Sequence, residues 1–373
     1  MDERFASRRE QMTGRLRSLY ERLGYSRFSM RRFEEYALYL ENKSFLKSES
    51  VLAFTNPDGM LMALKPDVTL SIVKHARRER EGLERVYYQE SVYRLAPTAR
   101  EFVEIDQLGA ELLGEVDACA EAEVVRLAIE SLAAVGPAYV LDISHMGFAS
   151  GLLMAAGLAP DTQEQLLAFL RQKNAHELAQ LLAQERVPAF FAQRIEALAT
   201  LSGAFPDTLS RARALCVGAG MEAAVEELGA LYGVLAAVGL SGQVRLDFSM
   251  LNDQSYYNGV VFQGFVDGAP RVVLSGGRYD PLMRRFGKAG DAIGFAMYLD
   301  ELDRVLADAR DVDADVLALY READDPARVS AAVFGLAAQG RRVFAATRPP
   351  ADFRAARTLT FTGEAFEEVA PDA

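Results

Sequence analysis

Two cysteines in 373 residues, Cys119 and Cys216, are too few and too far apart for a disulfide framework or a thiolate metal site. Both stand in alanine-rich helical text and are expected as reduced core residues. Histidine is nearly as scarce. His145 and His176 have no Cys, His or carboxylate neighbour at ligand spacing, so no metal is expected. No apolar run reaches the ~18 residues of a membrane span, and the opening Met-Asp-Glu-Arg-Phe lacks a signal peptide's hydrophobic region. The expectation is a cytoplasmic protein without membrane contact. Positive charge is also in deficit: 41 Lys and Arg against 53 Asp and Glu give a net charge of −12, which disfavours the phosphate contact of nucleic-acid binding. The densest basic run, residues 74–81, is interrupted by glutamates and reads as the solvated end of a helix.

What is present is regular punctuation. The length favours two to three domains. Apolar spacing predicts a helix over 7–23 ended by Gly24, then β-like text over 25–33. Strands over 51–54 and 60–64 flank the turn Asn56-Pro57-Asp58-Gly59, and a helix is expected over 69–80. Residues 85–115 read as two strands joined by a loop through Pro97 and Thr98. Asp117 is placed to cap a helix running to about Ala134, after which Gly136-Pro137 breaks the chain before a strand over 139–143. Residues 150–240 carry helical periodicity and no strand signal, which marks an all-helical insertion. A strand over 243–248 is followed by a hairpin from 256 to 265, turning at Asp267-Gly268 and returning along 271–274. Residues 292–308 are expected as helix. A domain boundary near 310–315 divides residues 1–310 from a tail, 311–373, with strand 316–320, helix 326–338, strand 342–346 and a polar, proline-containing end.

Gln107 and Glu111 are four apart, so on a strand their side chains share a face. Glu111 is flanked by Ala110, Leu112 and Leu113, and a carboxylate buried there needs a partner. Tyr256 and Tyr257 alternate, which on a strand would put one in a pocket and one in the core. Gly276 and Gly277 are expected in a tight turn.

Several separated segments carry a resemblance in the right order: Leu-Lys-Pro-Asp-Val-Thr at 64–69, Ser-Val-Tyr-Arg at 91–94, Glu-Ile-Asp-Gln at 104–107, and Leu-Asp-Ile-Ser-His-Met-Gly-Phe at 141–148. Gly-Gly-Arg-Tyr-Asp at 276–280 and the Gly-Phe-Ala stretch of 292–302 complete it. Residues 1 to about 310 resemble the class II aminoacyl-tRNA synthetase core in its histidyl branch. Within that branch they are most similar to the regulatory subunits of ATP phosphoribosyltransferase. The resemblance implies an α+β fold: an antiparallel sheet flanked by helices, with the helical insertion and a small α/β C-terminal domain. It also implies a non-catalytic subunit in the first step of histidine biosynthesis. Such a subunit activates a short catalytic subunit, which makes phosphoribosyl-ATP, and relays feedback inhibition by L-histidine. The implied assembly is a homodimer within a hetero-oligomer, with the dimer formed through a first motif whose proline is replaced within Arg31-Arg32-Phe33-Glu34.

By the same match, Asp67, Thr69 and Gln107 would hold the amino group of histidine and Arg94 its carboxylate. Glu111 and Tyr279 would face the imidazole, with Tyr256 and Tyr257 beside them. Arg278 would anchor its loop. Departures from the synthetase pattern fall on ATP. The adenine-binding Arg-x-Glu is Arg94-Leu95-Ala96, the catalytic arginine is Asn252, and the γ-phosphate arginine is Glu301. A carboxylate repels phosphate where a cation would attract it, by roughly 4 kcal/mol at 4 Å and an effective dielectric of 20. An inactive adenylation site and no cofactor are expected. The competing readings are a divergent histidyl-tRNA synthetase or other amino-acid-activating ligase, and a stand-alone histidine-binding module.

Overall fold

A computed structural model describes residues 8–46, 51–76, 82–96, 100–251, 256–303, 305–306 and 312–368. The chain forms two compact units, residues 12–306 in one and residues 307–373 with 1–11 in the other. The elements begin with α1 (Arg8–Arg22), β1 (Ser26–Arg27), β2 (Phe33–Glu35), α2 (Tyr36–Glu41), β3 (Ala53–Thr55), β4 (Leu61–Leu64) and α3 (Thr69–His75). Next come β5 (Leu83–Leu95), β6 (Phe102–Gly114), α4 (Ala118–Ala133), β7 (Tyr139–His145) and α5 (Met146–Ala155). The insertion continues with α6 (Pro160–Arg171), α7 (Ala175–Gln184), α8 (Ala189–Leu198), β8 (Ser202–Ala204), α9 (Phe205–Leu215) and α10 (Ala219–Ala237). β9 (Val244–Asp247), β10 (Val260–Val266), β11 (Leu274–Arg278), α11 (Asp280–Arg285) and β12 (Asp291–Tyr298) complete the larger unit.

Among the described residues, these strands build one sheet in the order β1-β5-β6-β12-β11-β10-β7-β9-β8. Pairing is antiparallel except at β1/β5 and β7/β9. The long β5–β6 pair forms because both strands alternate residues for two environments, and the register sets Glu111 opposite Val86 and Gly109 opposite Tyr88. α4 begins where Asp117 accepts the Ala120 N–H at 2.8 Å, and it buries Val124, Leu127, Ala128 and Leu132 in the apolar core. α1 stops at Gly24, whose φ of 83° is the left-handed cap that glycine adopts freely. A separate sheet, ordered β2-β4-β3, puts Phe33, Met62 and Phe54 on one face, with the Phe33 and Phe54 rings edge-on at 5.1 Å.

The smaller unit holds β13 (Ala314–Leu319), α12 (Pro326–Ala338), β14 (Val343–Ala346), β15 (Ala355–Phe361) and β16 (Phe366–Glu368). Its sheet runs β14-β13-β15-β16 and packs Val316, Ala318 and Leu359 together. β15 and β16 lie where a polar tail was expected: Leu359 and Phe361 alternate with threonines and are buried.

Five further expectations are corrected. Residues 291–298 are strand, followed by a 3-10 turn over Leu299–Leu302, instead of a helix over 292–308. An interior strand is apolar on both faces, so its run lacks the alternation that separates strand from helix. The insertion is not wholly helical, since β8 pairs with β9 at the sheet's edge. The hairpin after residue 256 uses β10 and β11, so its return strand is 274–278, not 271–274; Gly276 and Gly277 lie inside that strand and not in a turn. A Cβ on Gly276 would come within 2.4 Å of the Gly294 carbonyl oxygen, so close strand packing is what requires it. Cys119 is exposed and Cys216 is half-buried against the edge of the core, so neither is a fully buried core residue. Among the described residues no helix is long and apolar enough to cross a membrane.

Candidate ligand-binding site

The β5–β6 pair places Tyr88, Arg94, Gln107 and Glu111 on one face, because directly opposed residues and every second residue share a side. The start of α3 supplies Asp67 and Thr69, and Asp67 Oδ1 fixes that turn by accepting the Leu70 N–H at 2.9 Å. Tyr256 and Tyr257 precede β10, and Tyr279 follows β11. All eight residues expected at the site line one cleft: Asp67, Thr69, Arg94, Gln107, Glu111, Tyr256, Tyr257 and Tyr279. Both tyrosines of the 256–257 pair are there, with ring centroids 4.5 Å apart, against the expectation of only one; they stand on a turn before the strand, where strict alternation does not hold.

Five further residues line the cleft that sequence reasoning did not place there: Tyr88, Ser275, Gly294, Phe295 and Ala296. Tyr88 had a signal, since it sits an even number of residues before Arg94 on the same strand. Gly294 had none. It is opposite Glu111 in the β12–β6 register, and a Cβ there would fall 1.6 Å from Glu111 Oε2.

Glu111 is 2% exposed. Its burial is matched by two donors: Thr69 Oγ1 gives a hydrogen bond to Oε1 at 2.9 Å and the Tyr279 hydroxyl one to Oε2 at 2.7 Å. Burial first, and the Glu111 charge next, push the Tyr279 phenol well above its ordinary value, so it remains a donor. Burial and then the Asp67 charge do the same to Tyr256. Arg94 gives its Nε hydrogen bond to the Pro66 carbonyl at 2.8 Å and faces Asp67 Oδ2 at 3.6 Å. One cation and two carboxylates thus line a cleft whose remaining walls are phenols, an amide, hydroxyls and the Gly294-Phe295-Ala296 segment. With its mouth the cleft spans about 350 Å³, of which about 20 Å³ is free interior, room for one water.

The histidyl-tRNA synthetase family model matches residues 1–302. The ATP phosphoribosyltransferase regulatory subunit of Desulforamulus reducens is 30% identical over 355 residues, covering 91% of this chain and 87% of that protein. This chain belongs to the regulatory-subunit branch of the histidyl-tRNA synthetase family. A Bacillus halodurans structure described as an ATP phosphoribosyltransferase regulatory subunit/histidyl-tRNA synthetase superimposes with a TM-score of 0.76 at 25% identity, covering 91% of this chain and 88% of that one. A chain of the ATP phosphoribosyl transferase complex from Thermotoga maritima shares the fold at 18% identity and a TM-score of 0.62, covering 77% of this chain and 96% of that one.

Within this regulatory-subunit scaffold the α+β class II core is present as expected. Glu301 lies on the 3-10 turn and pairs with Arg271 at 3.4 Å. Ala96 has only a methyl group to offer, and Asn252 lies outside the described residues. Arg278 does not line the cleft; it pairs with Asp280 at 2.9 Å and Asp291 at 2.7 Å.

Proposed function

We propose that this chain is the non-catalytic regulatory subunit of an ATP phosphoribosyltransferase, binding free L-histidine in the cleft and relaying feedback inhibition to a short catalytic subunit. The observation that carries the reading is the convergence of Arg94, Asp67 and Glu111 in one cleft with Gln107, Thr69 and the tyrosines. A zwitterionic amino acid with a polar aromatic side chain needs a cation, an anion and a polar-aromatic wall, and free histidine matches all three. Its carboxylate would take Arg94 and its ammonium Asp67, replacing the loose 3.6 Å pair between those two groups. Its imidazole would reach Glu111 and Tyr279.

The adenylating activity of the synthetases is absent from this reading. Glu301 adds negative charge where triphosphate would need the opposite, and Ala96 has no carboxylate to accept from adenine. The partner assignment is supported by the name of the relatives and by the occurrence of the fold in a phosphoribosyl transferase complex. Homodimerisation is supported by the Phe33–Phe54 face, which stays 46% and 37% exposed beside the first-motif residues. Regulation requires only that histidine prefer one quaternary state, and about 1–3 kcal/mol of coupling gives a roughly 5- to 150-fold effect.

The test is calorimetric titration of the full chain with L-histidine, with and without the catalytic subunit, alongside histidine-dependent pyrophosphate exchange with ATP. Saturable binding without exchange is the expected result. Exchange at an enzymatic rate favours a ligase, and absence of binding in both titrations removes the sensor.

A further inference from the structure

Next to Tyr279 in the chain, Arg278 enters a second set of buried ionisable groups, none of which lines the cleft. Its Nε donates to Asp280 Oδ2 at 2.9 Å, its Nη2 to Asp291 Oδ2 at 2.7 Å, and its Nη1 lies 3.8 Å from Glu121 Oε2. Glu121 projects from α4 and is 3% exposed; among the described residues its Oε2 has no hydrogen-bond partner. Facing it is Glu227 of α10, which accepts from His145 Nε2 at 2.9 Å. The His145 tautomer follows from its other nitrogen. Nδ1 accepts the Gly147 N–H at 3.1 Å, so the ring is neutral with its proton on Nε2. Arg278 thus pairs with Asp280 and Asp291 and lies nearest Glu121, Arg284 adds a second positive charge near Asp291, and the Glu227 and Asp291 carboxyls are half-exposed. Glu121 and Asp280 are the buried carboxyls of the set; with Arg278 already engaged by Asp280 and Asp291, and Glu227 facing Glu121, a charge on Glu121 is costly and its proton is favoured. Among the described residues no three ligands converge as a metal site would.

The same cluster grips both tyrosine-bearing segments. Asn258, directly after Tyr257, donates Nδ2 to Asp280 Oδ2 at 2.8 Å and accepts the Asp280 N–H at 3.1 Å. Its own N–H goes to the Arg278 carbonyl at 3.1 Å, and the Tyr279 N–H goes to the Ala292 carbonyl at 2.7 Å. A Cβ on Gly259 would meet the Arg278 side chain at 2.9 Å, so that stem lies against the backbone after Asn258.

Resting on the sensor reading above, we propose that this cluster is a protonated joint: while Glu121 keeps its proton, Glu227 of α10 stays beside it and Arg278 stays on Asp280 and Asp291, which fixes the segments bearing Tyr257 and Tyr279, and loss of the proton loosens the pocket's hold on histidine. An ionised Glu121 competes with Asp280 and Asp291 for Arg278 and repels Glu227, so the guanidinium or α10 must shift. The electrostatics agree with the geometry. Burial, then the facing Glu227, push Glu121 up to about 8, while the hydrogen bond from His145 holds Glu227 below the ordinary carboxylate range. Helix α10 belongs to the insertion, so the joint gives that insertion a route to the pocket.

The experiment is calorimetric titration of the full chain with L-histidine at pH 7 and pH 9, for wild type, Glu121→Gln and Glu227→Gln. The ligand's ammonium titrates equally in all three. The wild-type loss of affinity between the two pH values should exceed that of Glu121→Gln by roughly fivefold or more, and Glu227→Gln should move the wild-type step to lower pH. Superimposable profiles for wild type and Glu121→Gln overturn the joint. If no protein binds histidine, the sensor reading falls, and the joint is judged by amide exchange at pH 9 in segments 256–261 and 274–280. Faster exchange in wild type than in Glu121→Gln upholds it; equal exchange overturns it.

Discussion

The Tyr279 hydroxyl reaches across 168 residues of sequence to donate to Glu111 at 2.7 Å. That bond, with the one from Thr69, is what lets a carboxylate sit in an apolar strand environment, so its loss has two expected consequences. Tyr279→Phe removes a donor from a buried carboxylate oxygen and should cost about 1–3 kcal/mol of stability in urea unfolding. It should also weaken histidine binding by about tenfold or more, since each 1.4 kcal/mol is a factor of ten. Thr69→Val acts on the other oxygen and should move both readouts in the same direction. Unchanged affinity in both variants would remove Glu111 from ligand recognition.

Gly294 makes the carboxylate's position possible. A methyl group there would stand 1.6 Å from Glu111 Oε2 and 2.7 Å from the Ala110 carbonyl oxygen. Gly294→Ala should cost about 1–3 kcal/mol through overpacking, and binding should be lost at concentrations that saturate the wild type. The control is Gly14→Ala in α1, where an added Cβ meets nothing within 4 Å. That change should leave binding intact and add up to about 1 kcal/mol of helix stability.

These two residues also mark the limit of what could be read from sequence. Gln107 and Glu111 were legible as a pair because period-two geometry is local. Asp117 was legible as a cap for the same reason, and the cap is present at 2.8 Å. Gly294 was not, because its role arises from strand register between segments nearly two hundred residues apart. Residues 291–298 misled for a related reason: burial on both faces erased the alternation that would have named them a strand. The Glu121–Glu227 pair was invisible, since nothing in the text around either residue says that α4 and α10 face one another.

The Phe33–Phe54 face gives a prediction about assembly. If it is covered by a second copy, Phe33→Glu buries a charge at the contact and should shift the full chain from dimer to monomer in sedimentation velocity. Phe54→Ser should weaken the dimer less, because its ring is the less exposed of the two at 37% against 46%. The fold itself should survive, as Ala63 on the opposite face of β4 carries that sheet's buried contact. A dimer that is unaffected by Phe33→Glu places the contact elsewhere.

The proton on Glu121 has a consequence for stability that needs no ligand. An unfolded glutamate ionises near 4.3, whereas in the folded chain burial and Glu227 raise Glu121 to about 8. Between those values the native state holds the extra proton, so this group's contribution is complete below the unfolded value and is lost as pH rises through the window. Glu227 is shifted the other way by His145, and its contribution is lost only as pH falls through its lowered folded value. It therefore adds no slope between about pH 5 and pH 8, where it is ionised in both states. Wild type should lose thermal stability relative to Glu121→Gln steadily from pH 5 to about pH 8 and level off above it, with the two closest at the acid end. Parallel melting profiles across that range would mean that Glu121 ionises like a surface carboxyl, and that Arg278 already balances the full set of charges around it.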